Sequence, residues 1–285
     1  MREPNEQRVD VDMDVDADVD AYEAFYRKFD VPLMRQIRRE AYGEDIGQLS
    51  WVRADDLRRD IDRLGLAPAS RLVDLGCGAC GPLTFVLATV RCAGTGVDAS
   101  AAALRAGRER AVALDVDDLL SVRQADLDAP LELGAGSFDA AMALDVVLHL
   151  RDRARLFRYA ASLLRPGGRF LFTDAGVVTG AVSGDDVRRR SRYGHTELVP
   201  PGRNEALLES AGLRLIATED RTTSVVRNAT GRLAAMRAHR SELELVWAAA
   251  DLDAHVPLLD RNSSGNATPR PSRGQALTGG DSMRD

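Results

Sequence analysis

From residue 71 onward, short apolar runs that end at or beside an acid alternate with helix-forming segments, and that alternation leaves few folds open. RLVDL (71–75), CAGTGVD (92–98), LLSVRQAD (119–126), SFDAAMAL (137–144), RFLFTD (169–174) and LRLIATED (213–220) read as six strands. Between them lie the helix formers PLTFVLATV, SAAALRAGRERAVAL with Ser100 as N-cap, residues 152–164 with Leu156, Ala160, Leu163 and Leu164 on one face, and NEALLESAG (204–212). A long helical region, about 222–252, follows. Strand–helix alternation predicts an α/β fold, a Rossmann-like, doubly wound and mostly parallel sheet. Such sheets bind ligands outside the carboxyl ends of their strands. Chemistry is therefore expected just after Leu75, Val97, Ala125, Leu144 and Thr173.

The rest of the 285 residues divides around this block. Residues 1–20 carry eight acids against Arg2 and Arg8, with every second residue of VDVDMDVDADVD an Asp, and read as a disordered acidic tail. Residues 21–66 predict an N-terminal helical cap whose last helix closes on Gly65, and they hold six of the chain's 14 aromatics: Tyr22, Phe25, Tyr26, Phe29, Tyr42 and Trp51. Residues 67–255 form the main domain, with an irregular lid at 175–201. Residues 261–285 have one Leu, one Met and no Val, Ile or aromatic, and read as a second disordered tail. The net charge of −6 is that of residues 1–20 alone, so the body is neutral and offers no general field for nucleic acid or an anionic membrane. With no long apolar run, no export signal and three cysteines, the expectation is a cytoplasmic protein without a membrane span.

The turn after the first strand reads Asp74-Leu75-Gly76-Cys77-Gly78-Ala79-Cys80-Gly81. Its glycines allow a tight turn and close approach of backbone to a ligand at a helix N-terminus. Alone, G-x-G-x-x-G fits many dinucleotide binders, including nicotinamide-dependent oxidoreductases. Here Asp74 precedes the glycines, Asp98 and Asp126 end the next two strands, Ser137-Phe138-Asp139 opens the fourth, and Leu164-Arg165-Pro166-Gly167-Gly168 precedes the fifth. The ordered pieces VDLGCGACG, GVDAS, QADL, GSFDAAMALDVVLH and LLRPGGRFLFTDA resemble the class I S-adenosylmethionine-dependent methyltransferases over roughly residues 70–220. The wider resemblance is to the branch that methylates small molecules: natural products, phosphoethanolamine, and sarcosine or dimethylglycine.

The resemblance implies S-adenosylmethionine as cofactor and a set of residue roles. Asp74, Gly76 and Gly78 would surround its methionine part. Asp98 would take the ribose hydroxyls and Ala99 would lie along the adenine. Asp126 and the Leu127 backbone would face the adenine amino group. Asp145 would lie near the methionine end, and Gln48 would contact the cofactor. His149, with Asp174 as its orienting partner, would act as general base for a hydroxyl acceptor, although a lone His at a helix start is more often structural. The lid residues Tyr193 and His195 and the cap residues Tyr22, Tyr26, Tyr42 and Trp51 would line a small-molecule acceptor, whose aromatics could enclose an ammonium group. The resemblance also allows a homodimer. A non-catalytic S-adenosylmethionine-binding protein is the alternative. Cys77 and Cys80 form a C-x-x-C, but it falls inside the glycine loop, and no cysteine–histidine spacing suits a metal. The family's usual antiparallel seventh strand, inserted between the fifth and sixth, has no convincing candidate after residue 252; AHVPLLD (254–260) is short and holds a Pro.

Overall fold

A computed structural model describes residues 23, 25–174 and 196–247, and the backbone of 275–279. The acidic tail, Tyr22, the lid segment 175–195 with Tyr193 and His195, and residues 254–260 lie outside the described residues. The elements are α1 (Pro32–Tyr42), α2 (Ala54–Leu64), β1 (Arg71–Leu75), α3 (Gly81–Val90), β2 (Ala93–Asp98), α4 (Ala101–Ala113), β3 (Leu120–Gln124), β4 (Phe138–Leu144), a 3-10 turn (Val147–His149), α5 (Arg153–Leu163), β5 (Leu164–Thr173), α6 (Arg203–Ser210), β6 (Arg214–Glu219), α7 (Thr222–Ala238), α8 (Arg240–Val246) and β7 (Gln275–Gly279).

The strands form one seven-stranded sheet in the order β3-β2-β1-β4-β5-β7-β6. β1 to β5 pair in parallel, and β7 runs antiparallel to both β5 and β6. Because a parallel sheet is covered on both faces, successive residues of one strand enter different cores. Leu72 joins Ala140, Met142 and Leu171 beneath α2, α3 and α4, while Val73 and Leu75 join Ala141, Ala143, Phe170 and Phe172 beneath α5 and α6. Phe157 of α5 closes the second core, its ring centroid 5.0 Å from that of Phe172. A third cluster lies off the sheet, where Met34 and Ile37 of α1 meet Leu233 and Met236 of α7.

Local signals explain most boundaries. Ser100 Oγ accepts from Ala103 N–H, so the expected N-cap stands. Gly65 ends α2 at φ +67°. The expected helix over 222–252 is interrupted at His239, which separates α7 from α8. One expectation is overturned. The tail 261–285 is not wholly unstructured: Gln275–Gly279 is the seventh strand, with Arg169–Thr173 paired to it in antiparallel register. It sits where the family places its inserted strand, and it carries the sheet beyond the expected domain limit at residue 255. QALTG contains one strongly apolar residue, so its intrinsic strand signal is weak. What forms the strand is pairing with two flanking neighbours, a tertiary effect that overrides local propensity.

Candidate active site

The carboxyl ends of β1, β2, β4 and β5 bring together the residues singled out by the sequence. At the end of β2, Asp98 is held by two backbone donors: Gly78 N–H to Oδ2 at 2.8 Å and Ser100 N–H to Oδ1 at 2.9 Å. Burial raises the Asp98 pKa, opposed by those same donors. Next to it Asp74 is 2% exposed, and its Oδ1 has no hydrogen-bond partner. Burial first, and the charge of Asp98 second, push the Asp74 carboxyl well above its ordinary value. Gly76 and Gly78 have φ of +79° and +52°. A Cβ at Gly76 would collide with Val146, and one at Gly78 would come within 2.5 Å of the Tyr26 hydroxyl. The loop is thus a left-handed cradle that admits only glycine at these two points.

These residues fit S-adenosylmethionine. A buried carboxylate oxygen without a partner awaits a cation such as the cofactor's ammonium. Asp98, fixed by one donor to each oxygen, keeps lone pairs for two vicinal hydroxyls. Ala99 is half-buried beside it, and its carbonyl accepts from Gln124 Nε2. Asp126 is exposed past β3, its Oδ1 taking the Asp128 N–H at 2.8 Å, and Leu127 packs at the edge of the second core.

Asp145 follows β4 at φ +56°, a conformation that costs a non-glycine residue energy and that gathers at functional sites. Three bonds hold it there. Thr173 Oγ1 donates to Oδ1 at 2.6 Å and accepts from the Asp145 N–H at 2.7 Å, and Trp51 N–H donates to Oδ2 at 2.6 Å. Burial raises the Asp145 pKa; these donors and the His149 imidazole oppose the rise. His149 itself is half-buried at the end of the 3-10 turn, one turn past Asp145.

The structure gives Asp174 different partners from the one expected. Its Oδ2 accepts from Arg153 Nη1 at 2.8 Å and from Asn204 Nδ2 at 2.7 Å, with both charged side chains nearly buried. Arg153 also reaches Glu197, so this cluster ties α5, the end of β5 and the start of α6 together. Gln48 is 1% exposed, and its amide closes its own loop: Oε1 accepts from Ile46 N–H and Nε2 donates to the Glu44 carbonyl. Tyr26 lies over the glycine loop, Tyr42 is buried and donates to the Ser50 carbonyl at 3.2 Å, and Trp51 serves Asp145 through its backbone. Glu23 was not foreseen. Its carboxylate accepts from Ser100 Oγ and Ala102 N–H at 3.0 Å each, capping α4 from the N-terminal segment. No local signal marks that contact, because its partners are 77 and 79 residues away. Cys77 and Cys80 are buried free thiols with Sγ atoms 3.5 Å apart, and burial pushes the Cys77 thiol well up, away from the reactive thiolate.

Comparison with known proteins agrees with this geometry. Residues 73–170 match the family model described as a methyltransferase domain. The chain is 32% identical over 160 residues to 27-O-demethylrifamycin SV methyltransferase of Amycolatopsis mediterranei, covering 55% of this chain and 58% of that one. The chain spans less than two thirds of the length of the curated relatives it matches. Among solved structures, phosphoethanolamine N-methyltransferase 2 of Haemonchus contortus with S-adenosylmethionine superposes at TM-score 0.75 and 18% identity, covering 92% of this chain and 60% of that one. The (4+2)-cyclase SpnF superposes at 0.71 and 18% identity, covering 93% and 97%. Over residues 73–170 the chain is thus similar to methyltransferase domains, and its sheet shares their fold.

Proposed function

We propose that the protein transfers a methyl group from S-adenosylmethionine to a hydroxyl or amine of a small molecule, in secondary metabolism of the antibiotic-pathway kind. The observation that carries the reading is the juxtaposition of a backbone-clamped Asp98 with a buried Asp74 whose Oδ1 has no hydrogen-bond partner, at the carboxyl edge of the sheet. Asp98 would orient the ribose and Asp74 would hold the ammonium. When bound, the cofactor supplies a methyl already activated by the sulfonium charge, so positioning provides much of the rate. Asp145, fixed by Thr173 and Trp51, would keep the methionine end in place. His149, on the turn that follows, would accept the proton from an acceptor hydroxyl. Asp174 would act through Arg153 and Asn204 by fixing the floor of the site, not by touching the imidazole. The reading places the enzyme in the cytoplasm, without nucleic acid or membrane. Among the described residues no helix is long and apolar enough to cross a membrane.

A second reading, a binding protein without methyl transfer, is supported by the presence of a cyclase among the fold neighbours. Calorimetric titration with S-adenosylmethionine, S-adenosylhomocysteine and NAD separates these readings from an oxidoreductase. Micromolar binding of the sulfur ligands, weakened about tenfold or more in Asp98→Ala, is expected; NAD binding in their place would overturn both readings. His149→Ala should keep S-adenosylhomocysteine affinity and lose about 100-fold or more of turnover in an acceptor screen followed by mass spectrometry. Unchanged turnover would remove His149 from the mechanism.

A further inference from the structure

Asp145 keeps its positive φ between two holds, and only one of them comes from the sheet. Thr173 of β5 meets Oδ1, and the Trp51 N–H meets Oδ2 at 2.6 Å. Trp51 lies in the loop between α1 and α2, outside the sheet. The backbone groups of such a loop are placed by tertiary partners, and here the partner comes from α7. Asn228 Nδ2 donates to the Trp51 carbonyl at 2.5 Å, and Asn228 Oδ1 accepts from Arg53 Nη1 at 2.9 Å. A carbonyl on one side and a guanidinium on the other leave the amide a single orientation. Asn228 thus clips residues 51 and 53 together, and Trp51 passes the hold from its carbonyl to its N–H and so to the carboxylate. Tyr42 of α1 adds its hydroxyl, 3.2 Å from the Ser50 carbonyl on the same peptide group as the Trp51 N–H.

Asn228 is the one polar side chain among the buried residues of α7, and it is fully buried. Burying an amide costs stability unless its bonds are made, so an apolar residue is the ordinary choice on such a face. Its place is firm because α7 is fixed on both sides of it. Arg221, just before the helix, pairs with Asp60 of α2. At Gly231 a Cβ would come within 2.6 Å of the Ala41 carbonyl oxygen, so α7 lies directly against the end of α1. A strained φ persists only where its surroundings over-determine it. Asp145 has such surroundings, Thr173 on one oxygen and the Trp51–Asn228 link on the other.

We propose that Asn228 is a positioning residue of the candidate active site: acting from α7 through the Trp51 backbone, it aims the Asp145 carboxylate at the methionine end of the cofactor. That Asp145 faces the cofactor rests on the methyltransferase reading; the coupling of Asn228 to Asp145 does not. The test uses the full chain labelled with a heavy nitrogen isotope at tryptophan, which gives two backbone amides in a nuclear magnetic resonance spectrum, Trp51 and Trp247, assigned with Trp247→Phe. Asp145→Asn marks how the Trp51 resonance moves when the carboxylate charge is lost. Asn228→Asp keeps the size and the oxygen that Arg53 meets but has no N–H for the Trp51 carbonyl. It should move the Trp51 resonance in the same direction and weaken S-adenosylhomocysteine about fivefold or more in calorimetry. Asn228→Ser, too short to reach Trp51, decides the question if that variant does not fold. A Trp51 resonance that stays in place in a folded variant would overturn the proposal, and so would affinity lost in Asp145→Asn but kept in Asn228→Asp. A lower melting temperature with both readouts unchanged would show that Asn228 serves the α7 contact alone, and also overturns it. Wild-type protein that binds no S-adenosylhomocysteine, while Asn228→Asp still moves the Trp51 resonance, would instead overturn the methyltransferase reading and leave the coupling standing.

Discussion

Asp74 holds a carboxyl in the protonated form in the fold at a pH where the unfolded chain releases the proton, because burial and the Asp98 charge raise its pKa. Between the ordinary carboxylate value near 4 and that raised value the unfolded state binds fewer protons, so stability falls as pH rises through the window. Asp74→Asn should therefore raise the melting temperature of the ligand-free protein at neutral pH by a few degrees and flatten its pH dependence, while weakening S-adenosylhomocysteine about tenfold or more. Scanning fluorimetry across pH with parallel calorimetry reads both effects; a variant that loses stability and keeps affinity would show that Asp74 serves the fold. At this scale the sequence was informative where chemistry is local. Ser100 caps α4, and Asp98, one strand end away, meets the glycine loop. It was silent where an acid has two plausible partners. Asp174 met Arg153 and not His149 because α5 begins with that arginine over the end of β5, which no spacing rule reveals.

Elements meet through a few buried charges. Asp60 of α2 is fully buried and paired through both oxygens to Arg221, at 2.8 and 2.6 Å, just before α7. Removing one partner of such a pair strands the other charge in the interior. Asp60→Ala should cost about 3–5 kcal/mol in urea unfolding, and the double change Asp60→Leu with Arg221→Met should recover most of it. If the double variant is as unstable as the single, the loss comes from packing around α2. On the other side of the cap, His239 accepts or donates between Glu242 and Glu40, joining the end of α7 to α1. Its pKa is raised, first by Glu242 and then by Glu40. A raised histidine stabilises below its unfolded pKa, near 6.5, and loses that contribution as pH rises through the folded value. The α1–α7 contact should thus loosen in mildly alkaline buffer, seen as faster amide exchange in α1, and His239→Gln should abolish that pH dependence. Strand limits were legible to within about two residues where each apolar run is short and bounded by Gly, Pro or an acid, but β5 begins at Leu164, five residues before the expected Arg169, where the segment read as a helix end and its stop pairs with β4. The break at His239 was not, since residues on both sides favour helix.

Among the described residues, β6 joins the sheet solely through β7, and β5 would become an edge without it. Deleting residues 274–285 should lower the melting temperature markedly, increase aggregation, and remove amide protection from Arg169–Thr173 and from β6. Unchanged exchange in β5 would argue that the strand adds little. The sequence by itself determined the doubly wound sheet, the glycine cradle and the order of acids along its edge. Each rests on residues close in the chain, where periodicity, turn chemistry and capping act. Only the tertiary structure decided that Gln275–Gly279 is a strand, that Glu23 caps α4, and that Asp174 belongs to Arg153. Those contacts join residues tens to hundreds of positions apart, and their free energy comes from partners that local sequence does not contain.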